Sequence, residues 1–311
     1  MATTKGIHRN QAAALMAGLA TYEAQHGALP GIVQPSARQT LIEQMISSLR
    51  RIEYIRAFPA QKIAAIRLEP HSEQFDPLKG AYLLGQKGAI DEAVWMTFVA
   101  THFGKHAVDG WKLAANVMGS FGGVIWTFDN YGAAPADFEA MLHAHQADLT
   151  DPAISGRYSN HRQYQSKSAD IIATVFSTFN SWLVANGDFV GKVRSIHQQV
   201  GQEPTLVFRA LYRSMRTVYG FGRLGNFDFL TMLSKLQLAP IEADSVHLSG
   251  ATGPLAGARL LIQGNGAAKK PKEIEAIVDD LDTFLNVGKQ VLEDSLCNWQ
   301  KSPNHYVYFK G

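Results

Sequence analysis

Apolar residues recur every three or four positions along most of this chain, the period of an amphipathic helix rather than the alternation of a strand. The pattern predicts a helix over residues 10–25, closed by Gly27, Pro30 and Gly31. A second spans 36–56, where Ile42, Met45, Ile46 and Leu49 share a face and arginines end the run. Cations suit that end because the helix dipole is negative there. Asp76-Pro77 opens the next helix, a capping acid followed by a proline suited to the first turn. Asp91 is expected to cap a helix over 92–103. Further helices are expected at 109–118, 135–147, 168–185, 189–200, 203–218, 227–238 and 273–296. Only residues 258–262 look strand-like, too short a run to found a sheet. An irregular polar segment occupies 148–165, and the Gly/Asn/Lys stretch at 264–272 reads as a flexible loop. The expected fold class is all-α.

Composition narrows this picture. Hydrophobic residues are 46% and charged residues 18% of the 311, which suits a folded core and not a disordered chain. The single cysteine, Cys297, excludes an internal disulfide and a cysteine-built zinc site, in keeping with a reducing cytoplasm. The first residues hold no apolar core of signal-peptide length, and no apolar run approaches the ~20 residues of a membrane span. A cytoplasmic protein without a membrane partner is the expectation. Its organisation is read as an N-terminal helical extension over 1–40 followed by a two-lobed helical domain over 41–311, with a seam near 150.

Net charge is only +2, but it is unevenly spread. Residues 189–223 carry Lys192, Arg194, Arg209, Arg213, Arg216 and Arg223 against one acid, Glu203. Arg209, Arg213 and Arg216 step by four and three, which places them on one helical face. They run into Gly220-Phe221-Gly222-Arg223-Leu224-Gly225, followed by Asn226 and an apolar helix. A dinucleotide-binding reading of these glycines needs a preceding strand and a βαβ unit, and the chain offers a helix instead. Two readings remain. One is a helix–hairpin–helix turn whose glycines and exposed N–H groups, with Arg223 and Asn226, hold a DNA phosphate. The other is an ordinary αα-hairpin with a glycine C-cap and a solvated arginine face.

If the hairpin holds DNA, chemistry on a base needs a carboxylate to support positive charge growing on the sugar as the base leaves. Helix–hairpin–helix glycosylases place an aspartate beyond the second helix. Glu242 and Asp244, 17 and 19 residues after Gly225, lie near that spacing. Asp228 is nearer but sits in the expected first turn of a helix, where capping is its plain role. A loop holding Asn160, His161, Arg162 and Tyr164, acid-free from Arg157 to Tyr164, has the groups to stack on an extruded base and bond its edge. The same loop serves equally as an inter-helix connection. His102 and His106 are four apart, but Gly104 interrupts them and no third ligand is evident, so no metal is expected. Asp294, Asn298 and Lys301 are pocket candidates near the C-terminus, with Trp299 read as core.

Several blocks occur in a fixed order. They are Phe75-Asp76-Pro77-Leu78-Lys79, His102-Phe103-Gly104-Lys105 with Gly110-Trp111, and Asn160-His161-Arg162. Tyr219 to Gly225, Gly250-Ala251-Thr252-Gly253-Pro254-Leu255 and Cys297-Asn298-Trp299-Gln300-Lys301-Ser302-Pro303 follow. Together, from about residue 50 onward, they resemble the alpha-glutamyl/putrescinyl thymine pyrophosphorylase family, specifically its third clade. The resemblance implies a helical fold similar to helix–hairpin–helix DNA glycosylases and action on modified bases of phage DNA. It also implies likeness to antiphage glycosylases that remove glucosylated hydroxymethylcytosine. The turn Gly220-x-Gly222-x-x-Gly225 departs from the usual compact glycosylase hairpin.

Three functions follow as expectations. The first is a glycosylase that excises a modified pyrimidine from viral DNA and leaves abasic sites, in antiphage defence. The second is a transferase that replaces pyrophosphate on a hydroxymethyl-pyrimidine with an amine, the arginines and Lys105 holding phosphates. The third is a DNA-binding module without chemistry. Base hydrolysis needs water, a carboxylate and positioned donors, so neither metal nor organic cofactor is called for.

Overall fold

The computed structural model describes residues 7–263 and 269–309, and these are all-α: sixteen α-helices and five short 3₁₀ turns, with no strand. In chain order the helices are α1 (Ile7–His26), α2 (Pro35–Arg56), α3 (Pro77–Gln86), α4 (Ile90–Phe103), α5 (Lys112–Met118), α6 (Phe128–Ala133), α7 (Pro135–Ala144) and α8 (Gln146–Thr150). There follow α9 (Pro152–Ser155), α10 (Ala169–Val184), α11 (Phe189–Val200), α12 (Pro204–Ser214), α13 (Arg223–Lys235), α14 (Gly253–Gln263), α15 (Pro271–Leu285) and α16 (Lys289–Trp299). Two compact units result. One joins the described residues up to Ile55 with Ala243–Phe309, and the other is Arg56–Glu242. Residue 40 lies inside α2 and residue 150 at the end of α8.

The first unit buries Leu19, Ile42, Met45, Val278, Leu281, Leu296 and Trp299 in one apolar cluster. Trp299 satisfies its indole N–H on the carbonyl of Ala37 at 3.1 Å, so its place in the core holds. Residues 258–262 are helical, not strand-like. In α14 Ala258 and Leu261 turn inward, and a side chain at Gly257 would meet the carbonyl of Leu296 at 2.1 Å, so α14 lies flush on α16. The single helix expected over 273–296 is two. Asn286 takes a left-handed conformation (φ 49°), and the Asp282 carboxylate accepts from the N–H groups of Val287 and Gly288, which ends α15. Within the expected loop at 264–272, residues 264–268 lie outside the described residues.

The second unit is organised by α4, in which residues 93–103 are all buried. A helix apolar on every side belongs in the middle of a core. Trp95 and Phe98 meet Phe176 and Phe179 of α10, with Phe98 stacked on Phe179 at 3.8 Å between centroids. The hydroxyls of Thr97 and Thr101 bond back to carbonyls one turn earlier, which spares them an unmet donor. Asp76 caps α3 as expected, accepting from the N–H of Lys79 at 3.2 Å. Asp91 does not cap its own helix, which begins at Ile90. Its carboxylate accepts from the N–H of Phe189 at the start of α11. Glu92 does the same for Phe128 at the start of α6, at 2.8 Å. No described helix is long and apolar enough to cross a membrane.

Burial pushes the Glu92 carboxyl up to about 7, with the Phe128 N–H opposing and Asp129 adding. The folded chain therefore holds this proton more tightly than the unfolded one. The stabilisation is complete below the ordinary carboxyl range and is lost as pH rises through about 7. Glu92→Gln keeps an acceptor for Phe128 and removes the charge. Thermal melts should show the variant level with the parent at pH 5 and more stable at pH 8, by on the order of 2 kcal/mol. Identical pH dependence in the two proteins would contradict this assignment.

Candidate functional site

A helix end needs partners for its last carbonyls, and α4 ends deep in the second unit. The chain meets this need with the loop of residues 157–165. Gly104 turns the backbone at φ +65°, and a Cβ there would sit 2.1 Å from the Ser159 hydroxyl. The Ser159 N–H donates to the carbonyl of Phe103 at 3.1 Å. Arg162, 4% exposed, donates through Nε to the carbonyl of Thr101 at 2.8 Å. Its Nη2 then donates to Asp228 Oδ2 at 2.8 Å, and its Nη1 lies 3.4 Å from the Tyr164 hydroxyl. A buried guanidinium thus grips a carboxylate that remains about one-third exposed.

His102 lines the same region, stacked beside Phe98 and Phe221 with Tyr158 edge-on. Burial, reinforced by the charge of Arg162, drives its imidazole down to about 3, so it is neutral at physiological pH. Its Nδ1 has no hydrogen-bond partner among the described residues. His106 is engaged elsewhere, accepting from the N–H of Asp109 at 3.0 Å, so the two histidines do not form a pair. Among the described residues, Glu139, His143 and Asp170 are the one set of three that brings metal-type ligand atoms within 4.8 Å of one another. All three are exposed, and His143 pairs with both acids.

The hairpin takes a different form from the one expected. α12 ends at Ser214, so Arg209 and Arg213 lie on it, whereas Arg216 belongs to the 3₁₀ turn Met215–Thr217; all three are exposed. α13 begins at Arg223, four residues before the expected start, which moves Asp228 from a capping position to the helix's second turn. Among the glycines only Gly220 has positive φ, +70°; Gly225 packs on the ring of Phe221, and Gly222 has open space where a Cβ would go. Gly222 occupies the N-cap of α13 without a side-chain acceptor. Arg223 is half-buried. Asn226 is buried with its Oδ1 unpartnered, so it does not present a surface donor for a phosphate. Lys192, counted with the basic run, is also buried, its ammonium 4.9 Å from the Trp182 ring. Gln165 Nε2 donates to the carbonyl of Gly220 at 3.1 Å, tying the loop to the hairpin.

Of the three candidate carboxylates, only Asp228 meets the loop. Glu242 is exposed at the end of the second unit, its N–H on the carbonyl of Pro204 at 3.3 Å. Asp244 belongs to the first unit, where His247 Nε2 lies 2.9 Å from its Oδ1. Asn160 is exposed and His161 half-buried, both in the 3₁₀ turn that ends at Arg162. Near the C-terminus Asp294 pairs with Arg51 and accepts from Asn298, whose oxygen accepts from Lys301.

The second unit also holds a cavity of about 520 Å³, unforeseen in the sequence. Arg67, His71, Lys105 and Lys112 line it with Trp111, whose indole nitrogen is buried without a partner among the described residues. Three acids share the lining, Glu73, Asp76 and Asp109, of which Glu73 is exposed and the other two are committed. Asp76 caps α3, and the two hydrogen bonds from Arg157, at 2.8 Å each, hold the Asp109 carboxyl down to about 2. The signal was present as spacing: Lys105 and Trp111 fall within motif blocks already noted, whereas Arg67 and His71 lie in an irregular stretch without a pattern.

A family model described as alpha-glutamyl/putrescinyl thymine pyrophosphorylase clade 3 matches residues 36–311. No curated protein and no solved structure matches the chain.

The two glycines at Gly104 and Gly222 should behave oppositely. Gly104→Ala forces a Cβ onto Ser159 at a positive φ and is expected to cost about 2 kcal/mol or more. Gly222→Ala meets open space at φ −75° and should unfold within ~0.5 kcal/mol of the parent in urea titration. Equal effects at the two positions would show that the loop does not dock on the end of α4 as described.

Proposed function

The chain belongs to the alpha-glutamyl/putrescinyl thymine pyrophosphorylase clade 3 family, and from that premise we propose an enzyme that acts on a modified pyrimidine of DNA, with Asp228 and Arg162 as its working pair. The observation that carries this reading is the partly exposed Asp228 carboxylate, fixed on a helix and held by a buried arginine beside an acid-free loop. Arg162 occupies Oδ2 and is itself anchored by the end of α4. Precise anchoring is what a charge-stabilising group requires, since it then needs no reorganisation as the reaction proceeds.

The favoured reaction is base excision. The bond between the sugar C1′ and the base nitrogen breaks, its electron pair leaves with the base, and positive charge spreads over C1′ and the ring oxygen. Asp228 faces that charge, water adds to C1′, and a proton passes to solvent, which leaves an abasic sugar. Asn160, His161 and Tyr164 supply edge donors and a ring for the extruded base, and Arg209, Arg213 and Arg216 supply phosphate contacts. A glucosylated hydroxymethyl-pyrimidine in viral DNA is the proposed substrate, and antiphage defence the proposed purpose.

One observation favours a second chemistry. The cavity with Arg67, Lys105 and Lys112 presents cations to a phosphorylated group, in keeping with the family's name. There an amine attacks the methylene of a pyrophosphorylated hydroxymethyl base, the carbon–oxygen bond breaks, pyrophosphate departs with the electron pair, and the amine loses a proton.

Incubation with DNA containing glucosylated hydroxymethylcytosine separates the two. Excision gives alkali-labile sites and free sugar-bearing base by mass spectrometry, and Asp228→Asn should reduce the rate by ~10² or more while Glu242→Ala retains it. Intact DNA, followed by a new nucleoside adduct when pyrophosphorylated hydroxymethyluracil and an amine are supplied, would overturn excision in favour of transfer.

A further inference from the structure

We infer that Tyr164 and Tyr219 form a paired stacking platform, so that the protein engages DNA as a locally unpaired strand rather than as intact duplex. This rests on the reading of DNA as substrate and adds the form in which the DNA is held.

Within the unit Arg56–Glu242, Tyr164 and Tyr219 are the two large aromatic side chains left exposed among the described residues, at 65% and 49%. The other tyrosines of comparable exposure, Tyr54 and Tyr308, belong to the first unit. The two tyrosines come from segments far apart in sequence that the fold joins directly. Gln165, next to Tyr164, donates to the carbonyl of Gly220, next to Tyr219, at 3.1 Å.

Their backbones are fixed and their ring faces exposed, the Tyr164 hydroxyl accepting from Arg162 Nη1 at 3.4 Å. The N–H of Tyr219 donates to the Thr178 hydroxyl at 3.0 Å, and a Cβ at Gly220 would meet Val175 at 3.2 Å, so the hairpin is seated on α10. The loop is held by Arg162 at the end of α4. An exposed ring on a rigid backbone loses little further freedom when a flat ligand settles on it.

The surrounding charge selects the partner. No acid occurs from residue 152 to 169 or from 204 to 227, while Arg213 and Arg216 stand exposed a few positions before Tyr219. Asp228, joined to Tyr164 through Arg162, has its charge answered by that arginine, and exposed aromatic faces with exposed arginines nearby suit bases carried on a phosphate backbone. In a duplex each base face is already covered by its neighbours, so two free rings have nothing to stack on. Unpaired bases offer both faces.

The test uses the full chain with a fluorescent unmodified 12-nucleotide single strand and the matching duplex, each titrated over a range of salt. The parent should bind the single strand more tightly. The double variant Y164A/Y219A should lose at least about tenfold in single-strand affinity, clearly more than it loses for duplex, with the salt slope unchanged. The pair Y164F/Y219F should restore it, since the rings and not the hydroxyls stack. R213A/R216A should weaken both forms and flatten the salt slope. Circular dichroism melts establish that each variant is folded. Single-strand affinity unchanged in Y164A/Y219A, or lost equally for both forms, would overturn the platform and leave the DNA reading intact. A parent that binds neither form would overturn both.

Discussion

The carbonyls at the end of a buried helix are the constraint on which the rest of the second unit depends. α4 places residues 93–103 out of water, so its final carbonyls must find donors inside the protein. The hydroxyls of Thr97 and Thr101 close their own needs within the helix. The carbonyls of Thr101 and Phe103 cannot, and they recruit Arg162 and the Ser159 N–H from a loop more than fifty residues later. Importing a guanidinium creates a second demand, because a buried charge is costly unless paired. Asp228 answers it. The pair proposed as the working centre is therefore also the last link in the satisfaction of one helix.

The other end of α4 obeys the same logic in reverse. Asp91 and Glu92 sit in its first turn, where acids suit the dipole, yet both spend their oxygens on the first N–H groups of α11 and α6. A single central helix thus terminates two others at its start and fastens the loop at its end. Rigidity at Arg162 follows from this arrangement, and a charge-stabilising carboxylate gains from rigid support more than from proximity alone.

Much of this was legible in the chain. The 3.6-residue period gave most helices, because an amphipathic surface writes itself directly into residue order. Asp76-Pro77 marked the start of α3 because capping is a contact between near neighbours. Long-range uses of the same residue types were not legible. Nothing local distinguishes an aspartate that caps its own helix from Asp91, whose partner is 98 residues away. The break at Asn286 depends on Asp282 bonding forward to two N–H groups, and the apolar period runs through it undisturbed. Lys192 counted with the basic run and Arg162 with the base-reading loop by type, and packing placed both inside, one over a tryptophan and one against the end of α4. The candidate residues were accordingly found as types, while their roles depended on what the fold set beside them.

The preference among carboxylates shows how spacing and packing come apart. Counting from the hairpin glycines favours Glu242 and Asp244 and treats Asp228 as a cap. That count assumes a second helix starting near residue 227. With α13 beginning at Arg223, the register moves by about one turn, and Asp228 leaves the capping position for a helical face that meets Arg162. Glu242 has the freedom of an exposed side chain, and Asp244 has a histidine for a partner in another unit. A group that must oppose a developing charge needs a fixed direction, some access to the reacting atom, and an oxygen not already fully claimed. Of the three, Asp228 alone combines a buried anchor on one oxygen with partial exposure of the side chain, which is why packing outweighs the count.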